Sequence, residues 1–271
     1  MENRNGLKSL SNNFSKLLAC PDDGSGLSIK GGHLECIKCG RKYNIIADKF
    51  LEILPSEFPK WMLLENEPKG AEENYQKEYL TPFSWDRKTG GWGDLTNASP
   101  GIRAFYNNEG QRVSDLLVPQ PDAIGIDVSG AVGNHAIVLS NVVETMINCD
   151  LHVPSIITAY QRMKKNMICI RSPYLKLPLI SNGFDFVICT DTLIRGWNHE
   201  VMLLKEILRI LKIGGKAFVD FHNLKWFKRN YNICEYKTGQ VKRLLKEANI
   251  TKYSIEPFGY VPIKLVQSEF V

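Results

Sequence analysis

The stretch from Ala123 to Leu151 constrains the fold of this chain more than any other part of its sequence. It begins with a short apolar run broken by one acid, Ala123–Val128, which is typical of a buried parallel strand. Small residues follow where the strand has to turn sharply into a helix: Ser129, Gly130, Ala131 and Gly133. The next strand ends at Asp150, about twenty residues on, where a carboxylate can accept hydrogen bonds from two ribose hydroxyls. The stretch predicts half of a nucleotide-binding α/β unit, although the turn alone also fits an ordinary βαβ crossover.

The same architecture continues downstream in the expected order. Phe184–Cys189 predicts a strand led by an acid, and Glu200–Lys212 carries apolar residues on one helical face. Gly214 and Gly215 are predicted to end that helix before a further strand begins at Lys216. We also expect a helix over 101–117 and a third strand over 166–170. Two further strands, over 252–258 and 262–270, are expected to form a closing antiparallel hairpin.

These segments resemble the class I S-adenosylmethionine-dependent methyltransferases. The family's Asp-x-Gly-x-Gly-x-Gly loop is similar to Asp127-x-Ser129-x-Ala131-x-Gly133, and its ribose acid is similar to Asp150. Its Phe-Asp-x-Val strand resembles residues 184–187, and its Leu-Lys-Pro-Gly-Gly turn resembles residues 211–215. The resemblance runs from Trp92 to the C-terminus. It implies an α/β fold with a Rossmann-like seven-stranded sheet and S-adenosylmethionine as the cofactor.

The resemblance also implies which residues bind the cofactor. They are Asp127, Ser129, Gly130, Ala131, Gly133, Asp150, Leu151, Ser172 and Asp191. Two of the family's glycines are replaced, by Ser129 and Ala131. After the third strand the family has an acid for the adenine amino group, whereas this chain has Arg171-Ser172-Pro173. That contact then comes from Ser172 or the backbone, or it is absent.

A zinc-ribbon pattern occupies the N-terminal part of the chain. Two cysteine-containing knuckles flank short strands and a Gly-Gly turn, with Cys36-x-x-Cys39 intact and Cys20 followed three residues later by Asp23. Two ligands on each of two tight turns can surround a Zn²⁺ ion tetrahedrally and stabilise a small module. The predicted ligands are Cys20, Asp23, Cys36 and Cys39, and His33 is a conceivable substitute for Asp23. The alternative is a ribbon that has lost its metal and is held by packing.

The segment resembles the small zinc-ribbon family that activates tRNA and translation-factor methyltransferases. That family's Leu-x-Cys-Pro start is similar to residues 18–21, and its Cys-x-x-Cys-x-x-x-Tyr-Pro-Ile ending is similar to residues 36–45. Asp23 and Asn44 depart from its pattern. The expected organisation is a zinc-ribbon-like module at 1–57, a linker and lid region at 58–94, and a methyltransferase domain at 95–271.

Catalytic candidates lie at the predicted carboxyl ends of the fourth and fifth strands. Asp191 and His199 follow the fourth strand and His222 follows the fifth, so all three are expected at the edge where α/β sheets bind ligands. A histidine with a pKa near neutrality can take a proton from an acceptor hydroxyl, although a structural histidine is the alternative. The segment lacks the Asn/Asp-Pro-Pro-aromatic signature of enzymes that methylate exocyclic amines.

Composition and charge narrow the function classes. A hydrophobic content of 44% and a charged content of 23% fit a soluble globular protein, and a cytoplasmic location without membrane contact is expected. The net charge of +5 is uneven, because residues 205–252 hold twelve Lys/Arg and four Asp/Glu. That basic span attracts RNA or an acidic substrate, or it is a solvated surface.

The sequence therefore predicts an S-adenosylmethionine-dependent methyltransferase that acts on a small polar or sugar-like acceptor. One alternative is an RNA methyltransferase that holds its substrate with the ribbon and the basic span. The other is a catalytically inactive scaffold, which the altered cofactor loop favours. Neither oligomeric state nor the identity of the acceptor is fixed by the sequence.

Overall fold

The structure is a computed structural model that describes residues 12–57, 82–85, 93–193, 199–222 and 236–256. Its helices are α1 (Asn12–Ser15), α2 (Pro100–Leu117), α3 (Asn134–Leu139), α4 (Val153–Arg162), α5 (Glu200–Ile210) and α6 (Thr238–Glu247). Its strands are β1 (Leu27–Lys30), β2 (His33–Cys36), β3 (Lys42–Ala47), β4 (Phe50–Glu52), β5 (Ile124–Val128), β6 (Thr145–Asp150), β7 (Met167–Arg171), β8 (Phe184–Cys189) and β9 (Leu211–Val219).

All nine described strands form one sheet, in the order β1-β2-β3-β4-β7-β6-β5-β8-β9. The five strands from β5 to β9 are parallel, as the predicted βαβ units require. The antiparallel strands β1–β4 belong to the N-terminal module, and β4 pairs in parallel with β7. The prediction of a Rossmann-like α/β fold with a small N-terminal β module is confirmed.

The expected seven-stranded sheet needs correction, because four strands of the module extend it beyond β7. The first half of the predicted closing hairpin is also not observed: residues 251–256 form no strand. The rest of that hairpin, from 257 to 271, lies outside the described residues. The module therefore covers one edge of the sheet, whereas the predicted pairing at the opposite edge stays a prediction.

The hydrophobic core runs through the module and the parallel sheet without a break. Leu34 and Leu51 of the module belong to the same buried cluster as Ile147 and Ile170 of the parallel strands. Helices α2, α3 and α4 cover one face of the sheet, and α1, α5 and α6 cover the other. A second connection comes from the segment before β1, where Leu18 forms an isolated antiparallel β-bridge with Leu179. The predicted domain boundaries at 57 and 94 stay predictions, although the module shares its sheet and core with the parallel strands.

The acid that leads β8 has a structural role. Asp185 accepts a hydrogen bond from the backbone N–H of Ile124 at 2.9 Å and pairs with Lys212 Nζ at 2.8 Å. It thereby fixes the start of β5 against the start of β9. The strand β9 begins at Leu211, earlier than predicted, and bulges at Gly214, whose φ is 84°.

No helix in the described ranges is both long and apolar enough to cross a bilayer.

One strand position tests this packing directly. A Cβ added at Gly125 in β5 would lie 2.0 Å from Cζ of Phe186, a ring that is buried in the core. Gly125→Ala should therefore lower the free energy of unfolding by about 1–3 kcal/mol, because the ring must move in a packed interior. Gly239→Ala is the matched control, since nothing lies within 4 Å of its added Cβ. Equal denaturation midpoints for the two variants in urea would contradict the packing described.

Candidate functional site

The turn after β5 has a left-handed backbone at three residues, although only one of the three is glycine. Ser129, Ala131 and Gly133 have φ values of 57°, 45° and 77°, all in the left-handed region. Only glycine adopts this region readily, and a side chain there costs about 1–2 kcal/mol. Gly130 is required for space: a Cβ there would lie 2.2 Å from Asn148 Oδ1. The loop keeps its geometry because surrounding contacts hold it.

Asp150 at the end of β6 supplies the principal contact to that loop. Its Oδ2 accepts a hydrogen bond from the backbone N–H of Ala131 at 2.8 Å, and its Oδ1 accepts one from the N–H of His152 at 2.8 Å. Each carboxylate oxygen has a second lone pair and can accept one further hydrogen bond. Burial raises the pKa of Asp150 to about 6. The predicted ribose acid thus also ties the loop to the start of α4.

Buried acceptors lie beside the same turn. Asp127 is fully buried, and burial raises its pKa to about 6, although His135 and the N–H of Ala136 favour its charged form. Asn148 donates to the carbonyl of Ala131 at 3.1 Å, but its Oδ1 is buried and accepts no hydrogen bond. A buried acceptor without a donor is costly, so these side chains fit a ligand that brings N–H groups and positive charge. S-adenosylmethionine, with an ammonium and a sulfonium, meets that requirement.

Two of the predicted cofactor residues have their polar groups engaged elsewhere. Leu151 is buried, and its carbonyl accepts a hydrogen bond from Arg171 Nε at 3.1 Å. The hydroxyl of Ser172 lies 3.0 Å from Cys149 Sγ and donates to the carbonyl of Pro173 at 3.2 Å. An adenine contact from Ser172 would therefore come from its backbone or from a rotated side chain. The cofactor roles of both residues stay predictions.

A polar network joins the cofactor loop to helix α2. His135, near the start of α3, places Nε2 3.3 Å from Glu109 Oε2 and Nδ1 3.3 Å from the hydroxyl of Thr190. Burial opposes the charged imidazole, yet Glu109 and Asp127 together raise the pKa of His135. His135 was not among the predicted site residues, because only the fold brings Glu109 to it from 26 residues away in sequence.

Two of the three predicted catalytic residues meet at the tips of β8 and β9. His222 Nε2 lies 2.8 Å from Asp191 Oδ1, and the backbone N–H of Asp191 donates to Asp220 Oδ1 at 2.8 Å. Asp191 has a φ of 53°, a strained backbone that this hydrogen bond helps to hold. Burial and the nearby Asp191 charge raise the pKa of Asp220 to about 7. We call these three side chains the acceptor mouth.

The third predicted catalytic residue lies in different surroundings. His199 is buried at the start of α5, and its Nδ1 is 2.9 Å from the hydroxyl of Tyr174. The described contacts do not bring it to Asp191 or His222. Its catalytic role stays a prediction, and a packing role fits its surroundings better.

The predicted metal ligands converge in the N-terminal module. One donor atom from each of Cys20, Asp23, Cys36 and Cys39 lies within 4.8 Å of the other three. Cys20 Sγ is 3.9 Å from Cys39 Sγ, and Cys36 Sγ is 3.5 Å from Asp23 Oδ2. These separations match the edges of a tetrahedron whose metal–ligand bonds are about 2.0–2.3 Å. His33 lies outside this group, with its Nε2 3.5 Å from Glu35 Oε2.

The surroundings of Cys36 favour its thiolate. Burial opposes ionisation of Cys36, but the N–H groups of Cys39 and Lys38 reach its sulfur at 3.4 Å and lower its pKa. The hydroxyl of Tyr43 lies 3.0 Å from Cys20 Sγ and can donate to it. Outer hydrogen bonds of this kind orient metal ligands.

The comparisons with known proteins agree with this architecture. Residues 126–219 match the family model described as a methyltransferase domain, which covers β5 to β9. No curated protein sequence matches this chain.

Three solved structures illustrate the similarity of fold. A SAM-dependent methyltransferase from Aquifex aeolicus is 20% identical over 52% of this chain and 78% of its own, with a TM-score of 0.46. One chain of a complex that contains the Haloferax volcanii Trm112 methyltransferase activator is 14% identical over 58% of this chain and 74% of its own, with a TM-score of 0.48. The [4+2]-cyclase SpnF is 17% identical over 62% of this chain and 64% of its own, with a TM-score of 0.49.

The family match confirms the predicted enzyme class and S-adenosylmethionine as its cofactor. It includes the loop after β5, the acid at the end of β6, and the strands β8 and β9. Residues 126–219 therefore match a methyltransferase domain, and the described residues have the class I S-adenosylmethionine-dependent methyltransferase fold.

Proposed function

We propose that this protein transfers a methyl group from S-adenosylmethionine to a hydroxyl of a small polar or sugar-like acceptor. The observation that carries the proposal is the contact of His222 with Asp191 at the carboxyl ends of β8 and β9. The cofactor, when bound, supplies a methyl group that is already activated. The chain then has to align the acceptor, exclude water and accept one proton.

The acceptor mouth is suited to receive that proton. When His222 donates Nε2–H to Asp191, a proton taken by Nδ1 produces an imidazolium that the Asp191 carboxylate stabilises. Asp220 fixes the backbone of Asp191 and so holds this carboxylate in place. The pair is partly exposed, which lets an acceptor reach it.

On the cofactor side, Asp150 is proposed to accept the two ribose hydroxyls with the lone pairs that remain on its oxygens. Asp127 and Asn148 are proposed to hold the positively charged amino-acid end of the cofactor. Ser129, Gly130, Ala131 and Gly133 would let the backbone approach it closely.

Two alternatives remain distinguishable. An RNA acceptor is favoured by the exposed basic residues of α6, such as Lys242 and Arg243, and would give RNA binding that weakens steeply with added salt. An inactive scaffold would bind no cofactor at all. The cytoplasmic location expected from the sequence stays a prediction.

We also propose that Cys20, Asp23, Cys36 and Cys39 bind a structural Zn²⁺. Four donors close the coordination shell, which is typical of structural sites rather than catalytic ones. Their place beside the shared core makes the ion a stabiliser of the edge of the sheet.

Replacing Asp150 by alanine tests the proposed contact with the ribose of the cofactor. Asp150→Ala loses the ribose contacts and the hydrogen bond to Ala131, so S-adenosylhomocysteine should bind about a hundredfold more weakly. Isothermal calorimetry measures this, with Asp122→Ala on the surface as the control. Undiminished affinity in Asp150→Ala would exclude the proposed ribose contact, and absent binding in the wild type would leave the scaffold.

Removing His222 should affect the transfer step alone. His222→Ala should bind S-adenosylhomocysteine as the wild type does, while methylation of an acceptor falls about 10²–10⁴-fold. Transfer of a tritiated methyl group to a panel of hydroxylated small molecules provides the assay. A variant that methylates at the wild-type rate would show that the imidazole is not the proton acceptor.

Cofactor affinity should depend on pH through the raised pKa of Asp150, which is about 6. The ionised carboxylate accepts both ribose hydroxyls, so affinity rises as pH increases through this value. The dissociation constant for S-adenosylhomocysteine should fall about tenfold between pH 5 and pH 7. The raised pKa also means that folding stability from this group is present at low pH and declines as pH rises from about 4 to 6. A constant affinity between pH 5 and pH 7 would contradict the proposed contact of Asp150 with the ribose.

The zinc proposal predicts about one equivalent of zinc in the purified protein. Cys36→Ser should lose the metal and lower the melting temperature, because thiolate ligation is broken. His33→Ala is the matched control in the same module and should keep its zinc, since His33 lies outside the cluster. Elemental analysis by mass spectrometry measures both, and retention of zinc by Cys36→Ser would end the proposal.

A further inference from the structure

A buried ion pair connects the N-terminal module to the cofactor side of the sheet. Glu52, at the end of β4, lies opposite Arg171, at the end of β7, in the parallel register. Arg171 Nη1 is 2.5 Å from Glu52 Oε1, and the arginine side chain is only 2% exposed. The other oxygen of Glu52 accepts a hydrogen bond from Asn44 Nδ2 at 3.0 Å. One oxygen of this carboxylate is therefore bound within the module, and the other is bound by Arg171 of the parallel sheet.

The same arginine reaches the residue that follows the ribose acid. Arg171 Nε donates to the carbonyl of Leu151 at 3.1 Å. The next residue, Ser172, donates its backbone N–H to the carbonyl of Asp150 at 3.2 Å. The end of β7 thus holds the carbonyls of both Asp150 and Leu151.

The arginine also needs its partner. A guanidinium stays charged in proteins, and a buried charge is tolerated only when it is paired and hydrogen-bonded. Among the described residues, Glu52 is the acid that pairs with Arg171. The module therefore determines where this guanidinium lies, and the guanidinium determines where Leu151 lies.

We propose that Glu52 and Arg171 are positioning residues for cofactor binding, through which the N-terminal module controls the adenosine side of the site. The proposal rests on the proposed function, because it takes the 150–151 segment to be the adenosine-binding segment. It gives the module a part in cofactor binding that its coverage of the sheet edge alone does not require. It also accounts for a basic residue where the related enzymes have an acid.

The test separates positioning from stability with two variants. The double variant Glu52→Leu/Arg171→Met removes both charges, so it leaves no uncompensated buried ion and should fold as stably as the wild type. It loses the donor to Leu151, and S-adenosylhomocysteine and methylthioadenosine should bind about tenfold more weakly. Glu52→Gln keeps a hydrogen-bond acceptor for Arg171 but removes the counter-charge. It should lower the melting temperature while keeping affinity within about threefold.

A second double variant is the matched control. Lys30→Met/Glu35→Leu removes an ion pair of the same 2.5 Å length in the same module, but one that is exposed and far along the sheet from Leu151. It should bind both adenosine ligands as the wild type does. Calorimetry gives the affinities, and thermal unfolding gives the stability of every variant.

The outcomes are distinct. Weak binding in the stable Glu52→Leu/Arg171→Met variant together with near-normal binding in the less stable Glu52→Gln variant supports the proposal. Wild-type affinity in the double variant, or affinity that follows stability in both, overturns it while the proposed function stands. Failure of the wild type to bind either adenosine ligand overturns the proposed function itself, and the inference falls with it.

Discussion

The parallel pairing of β4 with β7 is the interaction on which the rest of the structure depends. Without it, β7 would be an open edge of the parallel sheet, and its backbone groups would face solvent or another chain. The module supplies the missing neighbour, and its apolar side chains join the core of the parallel strands. The bridge between Leu18 and Leu179 repeats the attachment on a second segment. The N-terminal module is therefore built into the sheet.

This arrangement changes how the altered cofactor region is understood. The resemblance implies an adenine-side acid where this chain has Arg171-Ser172-Pro173, a departure that favours loss of cofactor binding when only the sequence is considered. In the structure the arginine is buried against Glu52 and the carbonyl of Leu151. The substitution thus has a structural partner, and that partner belongs to the module.

The loop after β5 is likewise held by contacts from a neighbouring strand. Ser129 and Ala131 adopt a left-handed backbone that their side chains disfavour. Asp150, by accepting the N–H of Ala131, and Asn148, by donating to its carbonyl, hold the loop from the neighbouring strand. Strain that is held by surrounding contacts is concentrated at functional sites, and here it lies where the cofactor is proposed to bind.

The sequence by itself determined the α/β class, the order of the parallel strands, the loop after β5 and the four donors of the cysteine cluster. These features follow from hydrophobic periodicity, from turn residues and from spacing along the chain, all of which are local. It also predicted that Asp191 and His222 lie at the same edge, because residues that end parallel strands share one edge of a sheet, and the two side chains are in contact.

Only the tertiary structure decided the rest. The joining of the module to β7, the burial of Arg171 against Glu52, the link from Glu109 to His135, and the support that Asp220 gives Asp191 are contacts between residues distant in sequence. Such pairings depend on strand register and burial, which composition and spacing do not encode. The contact of His199 with Tyr174 at the start of α5 was decided in the same way.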